Sequence, residues 1–346
     1  MLLIGASFAP EEAVHRNAKL WCNSAEEIVF ADQHFKRAVT IGNGSEALAL
    51  RRDALKALQA AYLMCLLQNW EGNDDSKKRI TRVRFGMVTA IARELGFASA
   101  SHHEPTQDHE DWERFIAREE FTRTLSYIFL LDTAFVIFNN TPPKISISEL
   151  QFDPVCPEHC FQAQTAADCF LYLFERDVLP SPLSNHSVAA LLSHMCSGDI
   201  DPAAREYIAG LGKLNLFIIV SGMLPMAPTY AVPALTLKPS AFHTLLFHAR
   251  NTFTPQAATL PIQTGLNNWK PIWTQHEEFS STQYTAPEST RRIPTECWKR
   301  TGFMEYAPEY WTLAQAIIST IQRTQNIYDK ERGLISGPGV GLMRTI

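Results

Sequence analysis

The residues with the most chemical potential sit together at Cys156-Pro157-Glu158-His159-Cys160, with Cys169 nine positions further on. Thiolates and imidazoles that converge on a tetrahedron hold zinc. A finger-type site needs a second ligand pair some distance along the chain, and that pair is missing, so these cysteines read as small apolar residues at a helix entry. His102, His103 and His109, with Glu104, Asp108 and Glu110, form a second group that could take up a metal; their polar, irregular surroundings make a solvated loop the better reading. Lys77, Lys78, Arg79, Arg82 and Arg84 are the strongest basic cluster, the kind that contacts phosphates or directs nuclear import. Glu71, Asp74 and Asp75 precede it directly, and cations at a helix start oppose the helix dipole, which favours a solvated helix face. Gly337-x-Gly339-x-Gly341 has no strand before it and no helix after it, and Gly42-Asn43-Gly44-Ser45 lacks the Lys-Ser/Thr ending of a P-loop. No G-x-S-x-G elbow occurs, and no nucleophile stands at a useful spacing from a base. No residue is therefore assigned a catalytic, cofactor-binding or metal-binding role.

Asp132 poses a different question. It lies in the apolar run LLDTAF, and a buried carboxylate must find a partner or become neutral. A structural acceptor for a neighbouring helix end or an Arg is the expected role.

The elements that would position these residues are helices. From Ala18 to Phe30, Leu20, Trp21, Ile28 and Phe30 alternate with good helix formers, and Ser24 to Glu27 could form a capping box. The run from Ser45 to Trp70 is rich in Leu and Ala and almost free of β-branched residues. A third helix is expected from Ser76 to Leu95, closing at Gly96 in a left-handed cap. After the His–acid loop, Asp111 should cap a long helix from Trp112 to Phe138, with Glu119 and Arg123 in the favourable order for an exposed i,i+4 pair. Pro142 and Pro143 stop it. Residues 144–161 alternate briefly like a strand but lie between prolines, so they read as extended chain laid over helices. Further helices are expected over 161–174, 187–196, 203–220, 240–252 and 308–328, while 255–308, full of Pro, Thr and Trp, stays open. The fold class that results is all-α, a multi-helix domain with irregular Pro-rich connections.

Composition agrees and excludes several classes. Of 346 residues, 46% are apolar, 19% charged and 16 are Gly, which rules out a disordered or collagen-like chain. The 31 basic against 36 acidic residues leave −5, a poor balance for a self-contained grip on nucleic-acid phosphates. Seven scattered Cys point to a reducing compartment rather than a disulfide framework. The first residues lack a basic n-region and meet Pro10, Glu11 and Glu12, so they do not read as a signal peptide. The uncharged stretch from Leu214 to Leu237 is broken by Pro225, Pro228 and Pro233 and reads as a core helix followed by a connection, with no membrane expected. With no capping residue or turn ahead of Leu2, the chain reads as starting inside a helix, as expected for part of a larger protein or one trimmed at its front.

One segment carries a resemblance. Trp112, Phe115, Glu119, Arg123 and Asp132 are followed by the N-T-P-P turn with Pro142 and Pro143, then by Glu149 and Pro154. In order and spacing this resembles the middle homology region of fungus-specific transcription factors, the xylanolytic-activator-type regulatory domain. The helix ending Ala92-Arg93-Glu94-Leu95-Gly96 and the opening Ile4-Gly5-Ala6-Ser7-Phe8 are similar to the family's approach to that region. The N-T-P-P form looks most like the branch with Cys2His2 fingers in front of the domain. The resemblance covers residues 1–180 as the homology region, which looks truncated at its front; 181–330 would be a further helical part of the same regulatory domain and 331–346 a flexible tail.

The resemblance implies a nuclear, DNA-binding, zinc-dependent transcriptional regulator. In that family the zinc and the DNA contacts sit in an N-terminal finger or cysteine cluster, which this chain lacks. Zinc and DNA would then be reached only through a missing N-terminal part, leaving a scaffold that binds a small-molecule effector, a co-regulator or a second copy of itself. Trp112, Glu119, Arg123, Asp132, Pro142 and Pro143 carry over as structural motif residues. The alternatives are a stand-alone helical interaction or oligomerisation protein and a helical enzyme acting on a small metabolite.

Overall fold

The computed structural model describes residues 2–7, 9–36, 45–96, 109–169, 187–226, 255–285 and 302–335. Its elements are α1 (Leu2–Ser7), α2 (Glu12–Ala31), α3 (Gln33–Lys36), α4 (Ser45–Glu71), α5 (Asp74–Arg79), α6 (Phe85–Leu95), α7 (His109–Asn139), α8 (Glu158–Phe161), α9 (Val188–Ser197), α10 (Pro202–Gly210), α11 (Lys213–Met223), α12 (Pro255–Thr285) and α13 (Ala307–Ile335). No strand occurs among the described residues, so the all-α class holds.

Helices α2, α4, α6 and α7 form one group, with α4 packed against the other three. In the second, α12 packs against α9, α10, α11 and α13. Helix α11 joins the groups by packing against α7 as well. It is apolar all round, as a buried helix must be, and Leu214 to Met223 are all buried. One continuous apolar core runs from Cys22 to Ile318. A small satellite core holds Trp112, Phe115, Cys156, Cys160 and Cys169.

Several boundaries differ from the sequence expectation, each for a local reason. Helix α2 starts at Glu12, so the Ser24–Glu27 segment lies inside it and caps nothing. The third helix is interrupted by a π-turn at Ile80–Arg84, while Asn73 caps its start by accepting the Ser76 N–H at 2.9 Å. Gly96 takes the left-handed conformation expected of it, φ 108°. Helix α7 begins at His109, ahead of Asp111. The single helix expected over 203–220 is two, because Gly212 adopts φ 92° between α10 and α11. Asp201 caps α10 by accepting the N–H groups of Ala203 and Ala204, both at 3.0 Å. The helix expected over 161–174 is broken at 162–165 and resumes at 166–169.

Helix α12 falls in the stretch that composition left open, and it holds Pro261 and Pro271 in its interior. Each proline removes an intrahelical hydrogen bond, at a cost of about 3 kcal/mol or more in a helix interior. Ile262, Leu266, Trp269 and Trp273, at helical spacing, are buried and repay that cost. Trp269 and Trp273 stack at 5.2 Å, and the Trp269 Nε1–H donates to the Leu216 carbonyl at 2.8 Å. Helix α13 continues beyond Tyr328 to Ile335.

Among the described residues, where the apolar helix Lys213–Met223 is too short, the helix that passes the length and hydropathy test for a membrane span is α7, over Trp112–Asn139. Its most apolar window is 72% buried within the protein, which is the signature of a core helix.

Candidate functional site

The chain after α7 runs as an extended strap across the helices, as its alternation between prolines suggests, and polar side chains fix it at intervals. Asn140, at φ 50°, turns the chain out of α7, and Pro142 and Pro143 follow without regular structure. Asp132, buried on α7, meets the strap first. Its Oδ2 accepts the backbone N–H groups of Lys144 and Ile145, both at 2.9 Å. Burial pushes the Asp132 carboxyl up to about 6, partly countered by those two amides.

Arg93, at the end of α6, grips the same corner from the other side. It donates to the Lys144 carbonyl and to Glu149, both at 2.5 Å, and pairs with Glu149 strongly enough to hold that carboxylate below its usual range. Glu149 also accepts the Ser146 N–H at 2.8 Å, closing a capping box over the short turn Ile147–Glu149. Asn215 of α11 then holds Val155 on both backbone groups, at 3.0 and 2.9 Å.

The strongest hold is on Cys156. Both carboxylate oxygens of Glu119 accept its N–H, at 3.0 and 3.1 Å, while Arg123 Nη2 donates to its carbonyl at 2.8 Å. Arg123 Nε closes the pair by donating to Glu119 at 2.6 Å, and its Nη1 reaches Glu158 at 2.7 Å. The guanidinium also lies 4.0 Å from the Phe161 ring centroid. Burial works against the charge of Arg123, but the two glutamates outweigh it and the group stays firmly cationic. Glu119 and Arg123 are thus a buried pair rather than the exposed one their spacing suggests. Trp112 and Phe115, stacked at 5.9 Å, cover the site from the first turns of α7.

A second buried network lies on the other side of α4. Glu26 of α2 is fully buried and receives Arg79 at 2.7 Å and Arg84 at 2.9 Å. Burial would raise its carboxyl, and the two guanidiniums overcome that and lower it. Arg84 also donates to Glu27 and stands 4.7 Å from the Phe30 ring centroid. Two members of the basic cluster are therefore structural cations, while Lys78 and Arg82 are exposed. Sequence reasoning missed Glu26, although it falls on the Ala18–Cys22–Glu26–Phe30 stripe, where an acid demands a partner.

Among the described residues no group of three or more His, Cys, Asp or Glu side chains could hold a metal ion. Cys156, Cys160 and Cys169 share the satellite core; burial raises the Cys156 thiol, whose Sγ–H donates to the Pro157 carbonyl at 3.6 Å, while a hydrogen bond with Cys160 lowers the Cys169 thiol. His102, His103, Glu104 and Asp108, the Gly42–Gly44 turn, residues 170–174, all of 227–237, the 240–252 helix and Gly337 to Gly341 lie outside the described residues, as do the side chains of His109, Glu110, Asp111 and His159. What the arrangement does chemically is mechanical: it fixes one strap, through buried charges, between two groups of helices.

Over 327 residues the chain is 40% identical to a Penicillium polonicum protein named Transcription factor verF. The match covers 91% of this chain and 41% of that relative, so the chain spans well under half of its length. No family model matches the chain. No solved structure matches it either.

Proposed function

We propose that this chain is the helical regulatory part of a fungal-type transcription factor, working in the nucleus to control DNA-templated transcription. The observation that carries the reading is the 40% identity, sustained over 327 residues, to a protein named a transcription factor. The all-α fold, and the burial of the motif residues Glu119, Arg123 and Asp132 in strap-holding roles, are consistent with the resemblance to the middle homology region. Sequence-specific DNA binding and zinc binding are assigned to a part of the protein outside these 346 residues, since the chain is acidic and its described residues offer no metal-holding group.

In this reading the domain acts by conformation and not by catalysis. An effector or co-regulator that binds one arrangement of the two helix groups better than another shifts the balance between them, by no more than its difference in affinity. The strap and its ionic clamps are the elements such a shift must pass through.

The test is to fuse the chain to a heterologous DNA-binding domain in a fungal cell carrying a reporter with the matching operator. The reading expects the fused chain to change reporter output several-fold relative to the DNA-binding domain alone. A fusion that is expressed, nuclear and bound at the operator, yet leaves the reporter unchanged, overturns it.

A further inference from the structure

Where the strap leaves α7 the chain is lightly fastened. Asn139, Asn140 and Pro142 are exposed, and Thr141, Pro143 and Lys144 are half-buried. The Thr141 N–H donates to the Phe135 carbonyl at 3.3 Å, at the long end of the range for such bonds. Pro142 and Pro143 have no N–H to donate, and each keeps the residue before it extended. The firm hold resumes at Lys144 and Ile145, whose N–H groups go to Asp132.

The hydroxyls around this exit differ in one respect. Thr133 donates to the Phe129 carbonyl at 3.2 Å, and Ser146 bonds Ser148 at 2.8 Å and Glu149 at 3.1 Å. Among the described residues the Thr141 hydroxyl has no hydrogen-bond partner. It stands directly before a proline, with Lys144 three positions on. A protein kinase that requires proline after the acceptor grips its substrate as extended chain, in a groove that suits a residue without an N–H. Such a groove takes a cation three positions on by charge. Ser181 and Thr254 also precede prolines, but Ser184 and Ala257 stand where Lys144 stands here.

We propose that Thr141 is a phosphorylation site for a proline-directed protein kinase, and that its phosphate loosens the start of the strap. Thr141 Oγ1 forms a bond to the γ-phosphorus of a nucleoside triphosphate, and the bond from that phosphorus to the β–γ bridging oxygen breaks. The nucleoside diphosphate leaves, and the hydroxyl proton passes to the kinase's general base. The product places about two negative charges just past the C-terminal end of α7, where the last carbonyls already carry partial negative charge. It stands three residues before the amides that bind Asp132, a corner that already buries one carboxylate. The single Lys144 ammonium cannot neutralise both charges, and Arg93, the other cation of this corner, is paired with Glu149. This holds whether or not the chain regulates transcription.

Incubating the whole folded chain with a purified proline-directed kinase and ATP tests this, with the phosphate located by tandem mass spectrometry. Phosphate is expected on Thr141 ahead of Ser181 and Thr254, and at none of these rates in Thr141→Val. Lys144→Ala keeps its N–H on Asp132 and should slow the transfer several-fold by removing the cation. Hydrogen exchange at the Lys144 and Ile145 amides should be several-fold faster in the phosphorylated chain than in the unmodified one, and kinase treatment should leave Thr141→Val unchanged. A folded chain that takes no phosphate at Thr141, a transfer indifferent to Lys144→Ala, or a phosphate that leaves exchange at those two amides unchanged or slower would each overturn the proposal.

Discussion

Asp132 Oδ2 accepts the N–H groups of two consecutive residues, with Ile145 thirteen positions further along the chain at 2.9 Å. A single buried oxygen therefore fixes where the strap begins. The cost is a carboxylate kept out of water, which is why its proton affinity rises.

That rise has a definite sign for stability. Burial pushes the folded carboxyl up to about 6 from its ordinary 3.8, so between those values the native chain holds more proton than the unfolded chain. Stability from this group is therefore fully present below about pH 4 and declines as pH rises through 6. Asp132→Asn keeps an oxygen for the amides and removes the titration. The variant should show a flatter stability profile from pH 4 to 7 by thermal or urea denaturation. Asp132→Ala strands two amide donors, one of them buried, and should cost about 2–4 kcal/mol at pH 5. An unchanged pH profile in Asp132→Asn would sink the assignment.

The Glu119–Arg123 pair should behave as a unit. Removing Arg123 takes the guanidinium from buried Glu119, at about 3–5 kcal/mol, whereas removing Glu119 leaves Arg123 still paired with Glu158. Glu119→Ala also strands the Cys156 N–H, and Arg123→Ala strands its carbonyl while leaving Glu158 to solvent. Urea midpoints of the two single variants and the double variant should give a double loss well below the sum of the single ones. Additive losses would mean that the two side chains hold the strap independently.

Glu26 carries the opposite pH signature. Its folded carboxyl is lowered, so its contribution is present above the unfolded value of 4.5 and fades as pH falls through the lowered one. Glu26→Gln leaves Arg79 and Arg84 facing a neutral amide and should cost about 3 kcal/mol near pH 7, with a smaller loss in strong acid. Between the arginines, Arg84→Ala should cost more than Arg79→Ala, since the Arg84 side chain is 14% exposed and that of Arg79 33%.

How much of this could be read from the sequence depends on whether the signal was local. The helices carried by Leu and Ala periodicity, the left-handed Gly96 and the strap between prolines were all legible, because each follows from a few consecutive residues. Glu119 and Arg123 were visible as a pair, but the i,i+4 spacing is the same on a wet face and a dry one. What buried them was the return of Cys156 and Glu158, more than thirty residues later in the chain. Arg79 and Arg84, five apart, would point about 140° away from each other on a regular helix. The π-turn between them brings both to Glu26, and no single residue announces such a turn. Helix α12 was hidden by Pro261 and Pro271, although Ile262, Leu266, Trp269 and Trp273 had the right period all along.

Two glycines separate backbone conformation from packing as reasons for the fold. At Gly212 an added Cβ would meet nothing within 4 Å, but the backbone sits at φ 92°. Gly212→Ala should therefore cost about 1–2 kcal/mol, from strain at the α10–α11 break alone. At Gly265 in α12 an added Cβ would come within 2.9 Å of Cys196 Sγ and of Met223 Cε, where α9, α11 and α12 meet. Gly265→Ala adds helix propensity worth about 1 kcal/mol but must displace those two sulfur side chains, so a net loss of about 1–2 kcal/mol is expected. Met223→Ala in the Gly265→Ala background should recover part of that loss by opening the space the new methyl needs. The same Met223→Ala change in the Gly212→Ala background should only add its own cavity cost. Thermal unfolding of the four chains decides the matter: rescue at Gly212, or none at Gly265, would mean that the junction of α9, α11 and α12 is not packed as described.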